Sequence, residues 1–351
     1  MQIPDFREAK VEEVFIHYSG SKANGHLPET DNESVKLDET VLSDFFITWI
    51  SRPHKTDRVF IFRNANKAFK HVMLDIARDF FSRKKTLFQI SKELTEHIYH
   101  QMTYPEIPEG EVVVCEIQDI LFYGKKRNAL ALVKIDVKEP FLMIGSDKNK
   151  NTLQAMYGLY LKKPCKSALI FFDEEVRDYF VLVHDDARYD GPGAGYWSAD
   201  VLNVEPMEGN YFHTEHFLKM VRKFGDEVLT TENQIDNLDK KVFLHKNIDY
   251  FKNHTVYEPK SYEEQVLPLP ELRNSFYEYA RTEDPNWDKL YIRDFDISGH
   301  AIKKNQKYFK SIIKLDSNFH IYAHGRFDLV EKGFDEEKGM KYYKLYYETE
   351  H

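Results

Sequence analysis

The chain has 351 residues, 42% of them hydrophobic and 30% charged, with a net charge of −9. That length holds two domains with substantial cores, and the balance of apolar and charged residues excludes a disordered chain. The acidic total excludes a uniformly basic, histone-like surface, and two cysteines, Cys115 and Cys165, are too few for a disulfide framework or a zinc knuckle. The opening residues carry acidic groups and no apolar core, so they do not read as a signal peptide, and no apolar run approaches the roughly 20 residues of a spanning helix. The expected location is the cytoplasm, with no membrane partner.

In chain order, a strand over Val11–Tyr18 leads through a polar loop, Ser19–Ser34, to a strong helix signal. There Asp38 can cap, and Val41, Leu42, Phe45, Phe46, Trp49 and Ile50 form an apolar stripe that stops before Arg52-Pro53. A second helix after Asn64 places Phe69, Val72, Met73, Ile76 and Phe80 on one side. A third starts at the capping box Thr86–Gln89 and buries Ile90, Leu94 and Ile98. The pattern then turns to strands: Gly110–Gln118 and Asn128–Val137, joined by the basic turn Tyr123–Arg127, then Leu153–Leu161, Ser167–Phe172 and Tyr179–Val183. This block predicts an antiparallel sheet backed by the three helices.

Residues 186–210, with the run Gly191-Pro192-Gly193-Ala194-Gly195, are expected to link an N-terminal α+β domain, 1–185, to a C-terminal one, 211–351. The second domain should hold a helix after Asn210 carrying Phe217, Val221, Phe224 and Val228, and another from about Ile235 to Ile248. A Pro-rich crossing (Pro259, Pro268, Pro270) leads to a helix near Glu271–Thr282 and a strand over Leu290–Ile297. A short helix capped by Ser298 then passes into closing strands at Ile312–Leu315, Phe319–His324 and Lys341–Tyr347. The fold class expected is α+β: helices on a mainly antiparallel sheet, followed by a smaller helical and β-hairpin domain.

Charge is segregated along this plan. Residues 52–85 and 124–169 each carry ten Lys/Arg against three Asp/Glu, and 299–327 carry six against one, whereas 173–239 carry five against sixteen. A basic face on an acidic body suits a polyanion, because the local field outweighs the total. Basic side chains at a corner (Arg83, Lys84, Lys85), at a hairpin tip (Lys125, Lys126, Arg127), around Pro164 (Lys162, Lys163, Lys166) and in the run Lys303, Lys304, Lys307, Lys310, Lys314 suit phosphate neutralisation, which reads no base.

Signals for chemistry are weak by comparison. Pro192 removes a donor from the glycine run and no Gly-Lys-Ser/Thr follows, so it reads as a loop and not a phosphate cradle. His184-Asp185-Asp186, and His213 and His216 flanking Glu215, could ligate a metal but lack the His-Glu-x-x-His order of a zinc peptidase. No Gly-x-Ser-x-Gly elbow is present, and both cysteines sit in apolar strands. No catalytic residue, metal or cofactor is expected.

Several segments taken together resemble one family. They are Gly110-Glu111-Val112-Val113-Val114 with Ala129-Leu130-Ala131-Leu132-Val133-Lys134, and Tyr160-Leu161-Lys162-Lys163-Pro164 with Ser167-Ala168-Leu169-Ile170-Phe171-Phe172. The closing runs Lys310–Asp316, Asn318–Tyr322 and Tyr343–Tyr346 complete the pattern. In this order they resemble the bacterial nucleoid-associated proteins typified by NdpA/YejK. The resemblance implies a nucleoid location and DNA association without an assigned reaction, and it supplies no residue set for DNA contact. The expected function is therefore non-enzymatic, largely sequence-independent binding of double-stranded DNA. Its contacts, chosen on charge and spacing, are Lys84, Lys85, Lys125, Lys126, Arg127, Lys303, Lys304, Lys307 and Lys310. Alternatives are an adaptor that docks on another nucleoid protein through its acidic 173–239 segment, and a metal-dependent nuclease built on His184-Asp185-Asp186. The sequence leaves the oligomeric state open, a homodimer included.

Overall fold

The run Val112-Val113-Val114-Cys115 does not alternate between apolar and polar, and a computed structural model of the chain shows why: all four side chains are buried, on two different faces. The structure describes the chain except residues 1–2, 38–39, 64–70, 148–149, 160–164, 187–194, 231, 234, 310–311, 316–318, 324–325 and 350–351. It divides into two compact units, Met1–Met207 and Glu208–His351.

In the first unit β1 (Glu13–Tyr18), β2 (Glu29–Thr30) and β3 (Val35–Lys36) precede α1 (Thr40–Ser51), β4 (Phe60–Phe62), α2 (Val72–Phe81) and α3 (Leu87–Gln101). Then come β5 (Glu111–Phe122), β6 (Lys125–Ile135), β7 (Glu139–Asp147), β8 (Lys150–Gly158), β9 (Lys166–Asp173), β10 (Asp178–Asp185) and β11 (Val204–Pro206). Nine strands form one sheet in the order β11-β4-β10-β9-β6-β5-β1-β2, with β3 also on β1 and every pairing antiparallel. β7 and β8 pair only with each other.

Strand residues alternate between the faces, so Val112, Val114, Leu130, Leu132 and Ile170 meet Met73, Ile76 and Phe80 of α2 and Ile90, Leu94 and Ile98 of α3. Val113, Cys115, Ala131, Val133 and Leu169 meet Ile47, Trp49 and Ile50 of α1. The three expected helices are thus divided between two faces, and continuous apolar runs are what a doubly covered sheet requires. Burial pushes the Cys115 thiol far up, so it packs as an inert apolar group.

The α3 capping box forms as expected, Thr86 accepting from the Gln89 N–H and Gln89 from that of Thr86. The α1 stripe is covered only in its second half. Ile47, Trp49 and Ile50 are buried while Val41, Leu42 and Phe45 are exposed, because a helical stripe reports amphipathicity and not the extent of the surface it meets. Asp38, the expected cap, lies outside the described residues. Gly110 leads into β5 so close to β6 that an added Cβ would stand 1.8 Å from the Ile135 carbonyl oxygen, which explains a glycine there. Within the segment expected to link the domains, Trp197–Val201 form a π-helical turn and β11 pairs with β4, both packed into the first unit.

The second unit starts with α4 (Asn210–Glu227) and α5 (Asn237–Asn253), then β12 (Val256–Tyr257), α6 (Pro259–Val266), α7 (Pro270–Glu283), α8 (Trp287–Tyr291), β13 (Phe295–Asp296) and α9 (Gly299–Asn305). Two hairpins close it, β14 (Ile312–Lys314) with β15 (His320–Tyr322) and β16 (Val330–Asp335) with β17 (Met340–Leu345). Its core is aromatic: Phe217 of α4 has the rings of Phe251, Tyr257, Tyr262, Trp287 and Tyr291 within 5.2 Å of its centroid. Two expectations are corrected here. The Pro-rich crossing contains α6, since Pro259 stands at a first helical position where no N–H is needed. The strand expected over Leu290–Ile297 shrinks to β13 because Trp287 and Tyr291, four apart, pack against each other in the core with centroids 4.2 Å apart and hold that segment as α8. Ser298 caps α9 as expected, accepting from the Ala301 N–H.

Beside β9, His54 is wholly buried and shares a 2.8 Å hydrogen bond with Ser167 Oγ. Burial, with His184 nearby, pushes its pKa from 6.5 down to about 3. The folded chain therefore refuses a proton that the unfolded chain accepts. His54 costs no stability above about pH 6.5, and stability drains as pH falls toward 3, by up to about 1.4 kcal/mol per pH unit. His54→Gln, which keeps a hydrogen-bonding group, should lose less of its urea midpoint between pH 7 and pH 4 than wild type; equal losses would show that His54 does not carry this dependence.

Candidate nucleic-acid interface

Basic side chains meet a polyanion most readily where carboxylates do not already neutralise them, so the partners of each one rank the candidates. The β5–β6 hairpin turns through Tyr123 and Gly124, both at positive φ (51° and 72°), a two-residue turn that suits the twist of paired strands. Lys125, Lys126 and Arg127 therefore open β6 and alternate in direction. Lys125 pairs with Glu175, and Lys126 with Glu8 at 2.7 Å; both lysines are exposed. Arg127 turns inward. Its side chain is 9% exposed, pairs with Asp173 at 2.8 Å and donates to the Phe122 and Phe172 carbonyls. Although burial pushes Asp173 upward, the N–H groups of Glu175 and Val176 and the Arg127 guanidinium hold its carboxyl below the usual range.

Arg83, at positive φ just past α2, reaches Glu116 through both terminal nitrogens, at 2.9 and 2.6 Å. It lines one concavity of about 510 Å³ with Lys125, Lys126 and Arg127, facing Asp173 and Glu175. Lys84 and Lys85 line a different one, between α2 and α3, where Lys84 pairs with Asp79 at 3.2 Å and Lys85 with Asp79 at 2.8 Å and Glu93 at 2.7 Å. Hydrogen bonds from Lys85 and then Lys84 hold the Asp79 carboxyl low.

In the second unit the run beginning at Lys303 is differently placed. Lys304 pairs with the buried Glu215 of α4 at 3.3 Å, and Lys219 reaches the same carboxylate at 3.1 Å. Lys303 and Lys307 are exposed and form no ion pair among the described residues. Lys307 stands 4.8 Å from the Tyr308 ring centroid, and Arg222 of α4 approaches the same ring at 4.5 Å. A hydrogen bond from Lys307, with Arg222 behind it, holds the Tyr308 hydroxyl below its ordinary value. Arg222 and Tyr308 escaped the sequence reading: a single arginine on an amphipathic helix gives no signal until α4 and α9 are packed. Lys310, Lys162 and Lys163 lie outside the described residues.

The groups considered for metal chemistry do not converge. Asp185 faces Lys166 at 3.6 Å, which puts an ammonium where a metal would stand, and burial raises its carboxyl despite that lysine. Lys166 and the fully buried Lys134 share Asp136, each at 2.7 Å. His216 is held between the Phe212 and Tyr291 rings and bonds the Tyr291 hydroxyl at 2.7 Å, while Glu215 next to it serves Lys219 and Lys304. Among the described residues no group of three His, Cys, Asp or Glu side chains could hold a metal ion, and no helix is long and apolar enough to cross a membrane.

What the fold and these sites define is a two-unit α+β protein whose cations stand on strand ends and helix faces. The model of the family described as nucleoid-associated protein YejK matches residues 16–341, nearly the whole chain, and the chain belongs to that family. No curated protein matches it. Membership supports a nucleoid-associated role.

Exposed ion pairs contribute little to stability, whereas opening a buried one leaves a charge without a partner. Arg127→Met should lower stability by an amount on the order of 3–5 kcal/mol, and Lys125→Met should leave it almost unchanged. Urea denaturation separates the two, and equal effects would contradict the assignment of Arg127 to a structural pair.

Proposed function

We propose that this protein binds double-stranded DNA at the nucleoid, in the cytoplasm, with little regard to sequence and without catalysing a reaction. The observation that carries the reading is a set of cations with no ion-pair partner among the described residues: Lys307 and Arg222, both at the Tyr308 ring, and the exposed Lys303 of α9. Each can take a phosphate without giving up a carboxylate, and family membership supports DNA as the polyanion. Lys84, Lys85, Lys125 and Lys126 extend this reading: they are tied to carboxylates at the surface, where a phosphate competes at small cost. Lys304 and Arg127 are held by buried carboxylates and contribute field more than contact.

Binding should weaken steeply between about 50 and 200 mM salt. Lys303→Gln/Lys307→Gln should flatten the slope of log affinity against log salt by roughly 2 units, at about 0.9 per lost contact, alike for every duplex. A folded variant with the wild-type slope would remove α9 from the interface. No binding at low salt would favour the adaptor reading, with the acidic 173–239 segment as its docking surface.

Incubation of supercoiled plasmid with the protein and Mg²⁺ or Mn²⁺ should leave it intact. Nicking abolished by Asp185→Ala/Asp186→Ala would overturn the non-enzymatic reading.

A further inference from the structure

The β7–β8 hairpin presents a surface that DNA contact leaves unexplained. Its register sets Phe141 opposite Met156, Leu142 opposite Ala155, Met143 opposite Gln154 and Ile144 opposite Leu153. Directly opposed residues share a face, so one face carries Pro140, Leu142, Ile144, Leu153, Ala155 and Tyr157. That face has no charge, and its large side chains are the most exposed of the hairpin: Leu142 66%, Ile144 76%, Leu153 65% and Tyr157 73%. On the other face Phe141, Met143 and Met156 are 40–48% exposed. Among the described residues neither strand pairs with any other. A two-stranded ribbon is marginal on its own in water, and contiguous exposed apolar patches of this kind mark contact sites.

We propose that this face is where two copies of the chain associate, hairpin against hairpin about a two-fold axis. Three observations select a second copy as the occupant. An aliphatic face without cations gives a polyanion nothing to bind, so DNA is excluded by charge. Pro140 removes a backbone donor from β7, which disfavours strand addition along that edge and leaves packing face to face, at about 10 Å between ribbons. At roughly 200 Å² per large side chain, the exposed fractions of Leu142, Ile144, Leu153 and Tyr157 amount to about 560 Å² per copy, so two copies would bury about 1,100 Å², above the roughly 1,000 Å² that a specific interface needs. An uncharged, mostly apolar face is also complementary to itself, as a two-fold contact requires.

Sedimentation of the full chain across micromolar concentrations should show a reversible dimer. Leu142→Glu/Leu153→Glu should sediment as a monomer with an unchanged circular dichroism spectrum, and Leu142→Met/Leu153→Met should remain dimeric. Because the charged variant could fail to fold, hydrogen exchange on the wild type gives an independent reading: amides of residues 139–158 should exchange more slowly as protein concentration rises. A wild type that stays monomeric, a folded charged variant that still dimerises, or exchange indifferent to concentration would each overturn the proposal. Both readouts are taken without DNA, so they stand or fall separately from DNA binding.

Discussion

Within β5, Val112 and Val114 pack against one pair of helices while Val113 and Cys115 pack against another, and much of the first unit follows from that double burial. A sheet covered on both sides leaves little wet face for a polar side chain, so its buried charges are few and stand with partners. Lys134 is the extreme case. It is fully buried at the end of β6, with Asp136 and the Pro108 carbonyl as acceptors, and Asp136 serves Lys166 of the neighbouring strand as well. Burial draws the Lys134 ammonium below its ordinary value, while Asp136 and Asp185 keep Lys166 raised in spite of burial. Removing that one carboxylate would leave the buried Lys134 without an anionic partner and Lys166 with Asp185 alone, a cost above that of losing an exposed pair.

The parts of this architecture legible in the sequence were those where one local rule decides the outcome. The Thr86–Gln89 box and the Ser298 cap formed as expected because the partners of each lie within a few residues, and the hairpin expected around Tyr123–Arg127 formed with a shorter turn, Tyr123-Gly124, which leaves Lys125–Arg127 in β6. Where two rules competed, the tertiary contact won: the aromatic core turned Trp287–Tyr291 into a helix, and Pro259 started one where prolines suggested a crossing. No strand was expected at β7; Pro140 lies near its start, a place proline tolerates in a ribbon that pairs with no further strand among the described residues.

The candidate interface was legible as charge but not as availability. Composition marks where lysines are dense, and it does so equally for Lys303, Lys304 and Arg127. Only packing separates them, since Lys303 is exposed with no acidic partner among the described residues, Lys304 leans on a buried glutamate and Arg127 faces inward. The carboxylates concerned, Glu215 and Asp173, lie 89 and 46 residues away from their partners in the chain, beyond any local pattern.

The place of β4 in the sheet has a consequence for synthesis. Phe60 and Phe62 leave the ribosome early, yet β4 sits between β10 and β11 and gains its second neighbour only when Val204–Pro206 have emerged. At about 5–20 residues per second, that strand waits many seconds with two aromatic side chains and an open edge to solvent. The nascent chain is thus most vulnerable to chaperone capture or mispairing over this interval, and a ribosome stall upstream of residue 204 would prolong it.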